Sequence, residues 1–333
     1  MINNMELLKE EILYALDNRM LNLIILPTEK CNFRCAYCYE DFSIGKMPLA
    51  VSDAIKKLIR NRFDDLQLLA ISWFGGEPLL NRETIYDISD YILHNKPASL
   101  HYAANMTTNG YLLDPATLRR LIECHVNTFQ ITLDGDRDLH NQTRVLADGR
   151  PTFDRIWENI LMMHHSDYEF ELMLRIHFTA DNYTKHTPLI ERLNSELSGD
   201  ERIKYLFKPV ERLGGANDAA IEPFTADDER MSVKSCLDRQ MLNPRQVVDR
   251  YDLDKPQMCY ASKPNSLMIR ANGKIGKCTV ALDDGRNDIG YIHKNGKVFI
   301  NDKLAFWIHG LESMDLKTLA CPLSRINYQT AKH

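Results

Sequence analysis

The stretch EKCNFRCAYCYED, residues 29 to 41, carries Cys31, Cys35 and Cys38 in the spacing C-x3-C-x2-C. Thiolates so closely spaced are ligands for soft metals. A structural zinc site takes four protein ligands, and three thiolates leave it one short. A cubane [4Fe–4S] cluster accepts three cysteines and leaves one iron open to a ligand the protein does not supply. The spacing points to an iron–sulfur centre able to bind something further.

Three other short motifs invite chemistry. Gly75-Gly76-Glu77-Pro78 lets the backbone approach a ligand, with Glu77 as acceptor for an ammonium group. The same residues suit a strand-to-helix turn, with Pro78 in the first helical turn. Thr107-Thr108-Asn109-Gly110 offers hydroxyl and amide groups on a composition also common in plain loops. Leu133-Asp134-Gly135-Asp136 brings two carboxylates together, making Asp134 and Asp136 the candidate catalytic groups, or else part of a solvated acidic loop. Arg175 is a charge inside the apolar run LMLRIHF, which suits a lumen position beside an anionic partner or a structural ion pair. Among the 11 histidines, His164-His165 and His177 read as structural.

These groups need elements to position them. Apolar, β-prone runs begin at Leu21, Leu66, His101, Thr128, Phe170 and Ile203, and stretches of helical period lie between them. Strands that alternate with helices make a parallel sheet with right-handed crossovers. Six units predict an α/β fold, a partial (β/α)6 TIM-like barrel over residues 21–215, after an N-terminal helix over 1–20. The cysteines and the other three motifs each follow one of the first four strands, at the C-terminal ends where function collects in such sheets. A linker with a helix is expected over 216–250, then a small β-hairpin-containing domain over 251–333. Asn272-Gly273 and Asn295-Gly296 are its hairpin signals.

The net charge of −5 argues against a general nucleic-acid or membrane-surface binder. No apolar run has the length of a membrane span, and the N-terminus lacks a signal-type core. The expectation is a soluble cytoplasmic protein whose 8 cysteines stay reduced.

Cys-x3-Cys-x-aromatic-Cys, with Tyr37 as the aromatic, resembles the signature of the radical S-adenosylmethionine (SAM) enzymes. The resemblance covers most of the chain. It implies a [4Fe–4S] cluster whose open iron chelates SAM and, once reduced, cleaves it to a 5′-deoxyadenosyl radical that abstracts hydrogen from substrate. By the same resemblance Gly75, Gly76, Glu77 and Pro78 form the motif that holds the methionine moiety, and Thr108 and Asn109 lie near SAM. QITLDGDRDLHNQTR is similar to a stretch of the peptide-modifying branch. That likeness puts Thr132 near the ribose and Arg144 near the carboxylate, and Arg175 joins this cofactor-binding set.

Cys259, Gly273 and Cys278, spaced C-x13-G-x4-C, resemble the opening half of the SPASM or twitch domain, which holds an auxiliary Fe–S cluster. The chain departs from the full SPASM pattern, because only Cys321 follows. The implied ligands are Cys259, Cys278 and Cys321, with Cys236 as candidate fourth or an open iron in its place. The resemblance implies a maturase acting on a peptide or protein, including a ribosomally made precursor peptide, with an electron donor such as flavodoxin or ferredoxin. The barrel begins about twenty residues in, so peptide recognition is expected at the barrel rim, the C-terminal domain or a separate protein. The alternatives are a small-molecule cofactor precursor as substrate, or a non-catalytic Fe–S electron carrier.

Overall fold

The computed structural model describes residues 4–248 and 258–325. The first helix, α1 (Asn4–Leu16), leads into β1 (Met20–Thr28) and the short β2 (Phe33–Cys35). Next come α2 (Leu49–Arg60), β3 (Leu68–Gly75), α3 (Arg82–Asn95), β4 (His101–Thr108), α4 (Pro115–Glu123) and β5 (Val126–Leu133). Then follow α5 (Arg137–Thr143), β6 (Arg144–Leu146), α6 (Phe153–His164), β7 (Glu171–Phe178), α7 (Thr187–Glu196) and β8 (Ile203–Pro209). After α8 (Asp227–Asp238) the chain forms β9 (Ser266–Ile269), β10 (Lys274–Gly276), β11 (Gly290–Ile292), β12 (Val298–Ile300), α9 (Leu304–Ser313) and α10 (Leu316–Ala320).

All six expected barrel strands form, and β1, β3, β4, β5, β7 and β8 pair in parallel in that order. The cause lies in their two faces. β3 and β4 alternate strictly in burial. One face of each strand is apolar and packs on the helices: Leu69, Ile71 and Trp73 on β3, Phe129 and Ile131 on β5, all without exposure. The helices meet them with stripes such as Ile85, Ile88 and Ile92 of α3, at helical spacing.

The C-terminal hairpins continue this sheet. β9 pairs in parallel with β1, Asn22 opposite Ser266, and β10, β11 and β12 follow it antiparallel. An open barrel leaves its first strand with unpaired backbone groups, and β9 satisfies them. The boundary expected near residue 250 lies outside the described residues. Both Asn-Gly hairpins form, with Gly273 at φ 83° and Gly296 at φ 82°. The last part is more helical than its hairpin signals suggest, since α9 and α10 follow β12. Among the described residues no helix is long and apolar enough to cross a membrane.

The β11–β12 tip docks on α2. Lys57 Nζ donates to the Lys294 carbonyl, and Asn61 donates to that of Asn295. A Cβ on Gly296 would meet the Leu58 nitrogen at 2.4 Å. Gly296→Ala should destabilise the chain by about 1–3 kcal/mol from the left-handed backbone alone, with the clash adding to it. An unchanged denaturation midpoint would show that the tip does not rest on α2.

Candidate active site

Above the C-terminal end of β1 the chain leaves the barrel, and β2 pairs antiparallel with β6, Cys35 opposite Arg144. That pairing carries the cysteine loop over the strand ends. Cys31, Cys35 and Cys38 line one cavity of about 160 Å³. Tyr37, Gly75, Gly76, Thr108, Asn109, Thr132, Arg144 and Arg175 line it too. Nearly all the expected cofactor-binding residues are therefore brought together by five different strand ends.

Glu77 and Pro78 stand behind this wall instead of on it. Glu77 has no exposed surface. Its carboxylate accepts from the Asn109 N–H at 2.7 Å, the Leu79 N–H at 3.0 Å and the Thr108 hydroxyl at 2.8 Å. Pro78 begins the short helical turn that Glu77 caps. Burial pushes Glu77 up, while the Asn109 and Leu79 N–H groups and the Thr108 hydroxyl pull it back. The Glu77 N–H donates to the Lys30 carbonyl. Asn109, fixed by Glu77, donates through its side chain to Asn32 at 2.8 Å, next to Cys31. Glu77 thus acts as a clamp between β3, β4 and the cysteine loop.

The glycines beside it have a packing reason. A Cβ on Gly75, at φ 118°, would lie 2.2 Å from the Thr28 carbonyl oxygen, and one on Gly76 would lie 2.7 Å from that of Lys30. Both let the cysteine-loop backbone close onto β3. Gly215, after β8, does the same against the Cys38 carbonyl at 2.3 Å. Sequence reasoning used the Gly214-Gly215 pair only as a domain limit.

The two candidate catalytic carboxylates do other work. Asp136 caps α5, accepting from the Leu139 N–H, and is not part of the cavity wall. Asp134 is buried one layer back. It accepts from the Tyr37 hydroxyl at 2.7 Å and the Thr143 hydroxyl at 2.6 Å, and Arg144 donates to the Tyr37 oxygen at 2.7 Å. Burial pushes Asp134 up, against the pull of Arg144. Asp134 orients Tyr37 and Arg144.

The donor set suits a [4Fe–4S] cluster. Burial drives all three thiols up, Cys38 to about 12. Such thiols keep their protons until a metal replaces them. They do not converge on one point, since among the described residues no three His, Cys, Asp or Glu groups are placed to hold a single metal ion. A cubane spreads its thiolates around a cage of irons. The rest of the wall supplies no thiolate; instead Arg175 and His177 line it with Nε and both ring nitrogens unpartnered. Arg175 lines this upper cavity, and no carboxylate among the described residues pairs with it. A donor-rich wall facing an incomplete thiolate set fits an anionic chelator on the open iron.

Below lies a second cavity of about 530 Å³, the barrel lumen. Every second strand residue faces it: Asn22 on β1, Ser72 on β3, Asn105 and Thr107 on β4, Thr128 and Gln130 on β5, Glu171 and Met173 on β7. Phe74 and Thr107 line both cavities. Tyr260 and Thr279, chain neighbours of Cys259 and Cys278, also line it. Cys259, Cys278 and Cys321 lie within electrostatic reach of one another, and among the described residues they too are not placed to hold a single metal ion. Burial raises Cys259 to about 11. Cys236 is not among them. It is exposed on α8, which packs on β8, and β8 lies at the opposite edge of the sheet from β9 and β10.

Residues 25–182 match the family described as the radical SAM superfamily. A GTP 3′,8-cyclase of Nostoc sp. is 30% identical over 159 residues, 46% of this chain and 46% of the relative. The chain thus spans about half the length of the cyclases it matches. A cysteine-type anaerobic sulfatase-maturating enzyme of Clostridium novyi is 22% identical over 338 residues, 92% of this chain and 87% of the relative. The solved structure of native anSMEcpe with bound AdoMet and Cp18Cys peptide shares the fold: TM-score 0.65, 18% identity, 86% of this chain and 80% of that one. Streptococcus suis SuiB bound to precursor peptide SuiA shares it at TM-score 0.61 and 15% identity, over 93% of this chain and 69% of that one.

Gly76→Ala forces the Lys30 carbonyl away and should cut iron bound per chain after anaerobic reconstitution by roughly half or more, because the cradle backbone cannot yield as a side chain does. Full iron loading would show that the glycine pair does not shape the cysteine loop.

Proposed function

We propose that this chain, a member of the radical SAM superfamily, is a peptide or protein maturase that binds SAM above the barrel and takes a substrate side chain into the lumen. The observation that carries this reading is the pair of adjoining cavities, which share Phe74 and Thr107 and run from one set of thiols toward the other. The near full-length likeness to a sulfatase-maturating enzyme supports a polypeptide substrate. The cyclase likeness, at 30% identity, favours a small-molecule substrate as second reading, but it reaches only half of the chain.

Cys31, Cys35 and Cys38 would hold the cluster, which with SAM supplies one-electron cleavage of a carbon–sulfur bond and hence hydrogen abstraction. Arg144 and Arg175 bring positive charge to a carboxylate. Thr132 and Asn109 offer hydrogen bonds to the remainder of the ligand, and Gly75 and Gly76 leave room for its approach. Tyr37, held between Asp134 and Arg144, closes the floor of the cysteine loop and keeps water from it. Phe74 stands where the two cavities meet. The amide and hydroxyl lining of the lumen orients a polar side chain by several hydrogen bonds at once. Cys259, Cys278 and Cys321 are the candidate ligands of an auxiliary cluster with an open fourth position. An acidic one-electron donor such as flavodoxin or ferredoxin is the partner this chemistry requires.

Reconstitution with iron and sulfide, then SAM and dithionite, should yield about eight irons per chain and 5′-deoxyadenosine. Cys35→Ala should abolish deoxyadenosine, and its persistence would overturn the reading. Cys278→Ala should lower iron to about four and spare SAM cleavage while product on a peptide is lost. A C278A chain still holding about eight irons would remove the auxiliary cluster.

A further inference from the structure

His177 follows Arg175 by two positions on β7, so the two side chains share the lumen face. Its side chain is 10% exposed and lines the upper cavity, and neither ring nitrogen has a hydrogen-bond partner among the described residues. Burial, reinforced by Arg175, Arg144 and Lys208, holds the ring well below its usual pKa and therefore neutral. A neutral imidazole carries one N–H and one lone pair.

The surroundings assign those two sites. Nδ1 stands 3.6 Å from Asp134 Oδ1, a carboxylate oxygen with lone-pair capacity beyond the Tyr37 bond. Tyr37 packs edge-on against the ring at 5.1 Å. That separation is longer than a hydrogen bond, yet a carboxylate oxygen beside Nδ1 favours the proton there and leaves Nε2 as acceptor. The neighbouring charged groups on β7 and β8, Arg175 and Lys208, only donate. Glu211 is engaged by Lys208 at 2.6 Å and by Arg230. A ligand held by its carboxylate still has donors of its own, and His177 offers a buried, unengaged lone pair to receive one, beside the hydroxyl oxygens of Thr107 and Thr132.

We propose that His177 is a ligand-contacting residue whose unprotonated ring nitrogen accepts a hydrogen bond from a ribose hydroxyl or the ammonium group of SAM. The proposal rests on the SAM reading above. Binding is measured by equilibrium dialysis on anaerobically reconstituted chain, without reductant, so no turnover enters the readout. His177→Phe should raise the SAM Kd by roughly tenfold with iron per chain unchanged. His177→Gln, which restores an acceptor oxygen, should stay within about threefold of wild type. His177→Leu replaces the Phe variant if that chain fails to take up iron. 5′-Methylthioadenosine, with a ribose and no ammonium, and methionine, with an ammonium and no ribose, then locate the donor: the H177F loss follows one of them. Equal SAM affinity in wild type and H177F, or an equal loss in H177Q and H177F, overturns the proposal. A wild-type chain that takes up iron and binds no SAM defeats the underlying reading instead.

Discussion

A carboxylate with no exposed surface holds the top of this barrel together. Glu77 is a carboxyl group that water cannot reach, so it needs hydrogen-bond partners within the protein. Those partners come from the end of β4 and from the turn after β3, while its own N–H reaches the Lys30 carbonyl. The three segments are therefore ordered together or not at all. Asn109 passes this order to Asn32 and the thiol beside it. The glycines at 75 and 76 serve the same end by removing the side chains that would hold the segments apart. A motif that reads as a ligand grip is, in the folded chain, first a joint.

The barrel strands divide their labour by parity. Residues facing the helices are aliphatic or aromatic and supply the core. Residues facing the lumen are largely amide, hydroxyl or charged, and several polar atoms there and above have no partner among the described residues, such as Asn22 Nδ2 and Arg175 Nε. Each unmet buried group costs about 1–3 kcal/mol. A sequence that keeps them at functional positions gives up stability that the outer helical layer must supply.

Much of this was legible beforehand. The six strands and most helices follow from periodicity, and the cysteine spacing names its chemistry without help from the fold. What stayed hidden has physical causes. β2 and β6 are three residues each and pair across more than a hundred positions, so no local pattern marks them. Asp136 looked chemical because a helix cap and a catalytic carboxylate share one side chain, and α5 is too short to show a period. Cys236 was set with the other thiols on residue type alone, whereas it is exposed on α8, which packs on β8. His177 was read as structural on residue type, and reading β7 in steps of two would have placed it on the same face as Arg175.

The partnership of β1 with β9 bears on how the chain is made. Asn22 and Ser266 sit side by side in the finished sheet, yet more than two hundred residues of synthesis separate them. At ribosomal speeds of about 5–20 residues per second, the first strand leaves the ribosome many seconds before its outer neighbour exists. During that interval one edge of the nascent barrel is bare, and pairings of such long sequence separation form late. Full closure of the sheet thus waits for β9, and a chaperone that shields the β1 edge would act in that window.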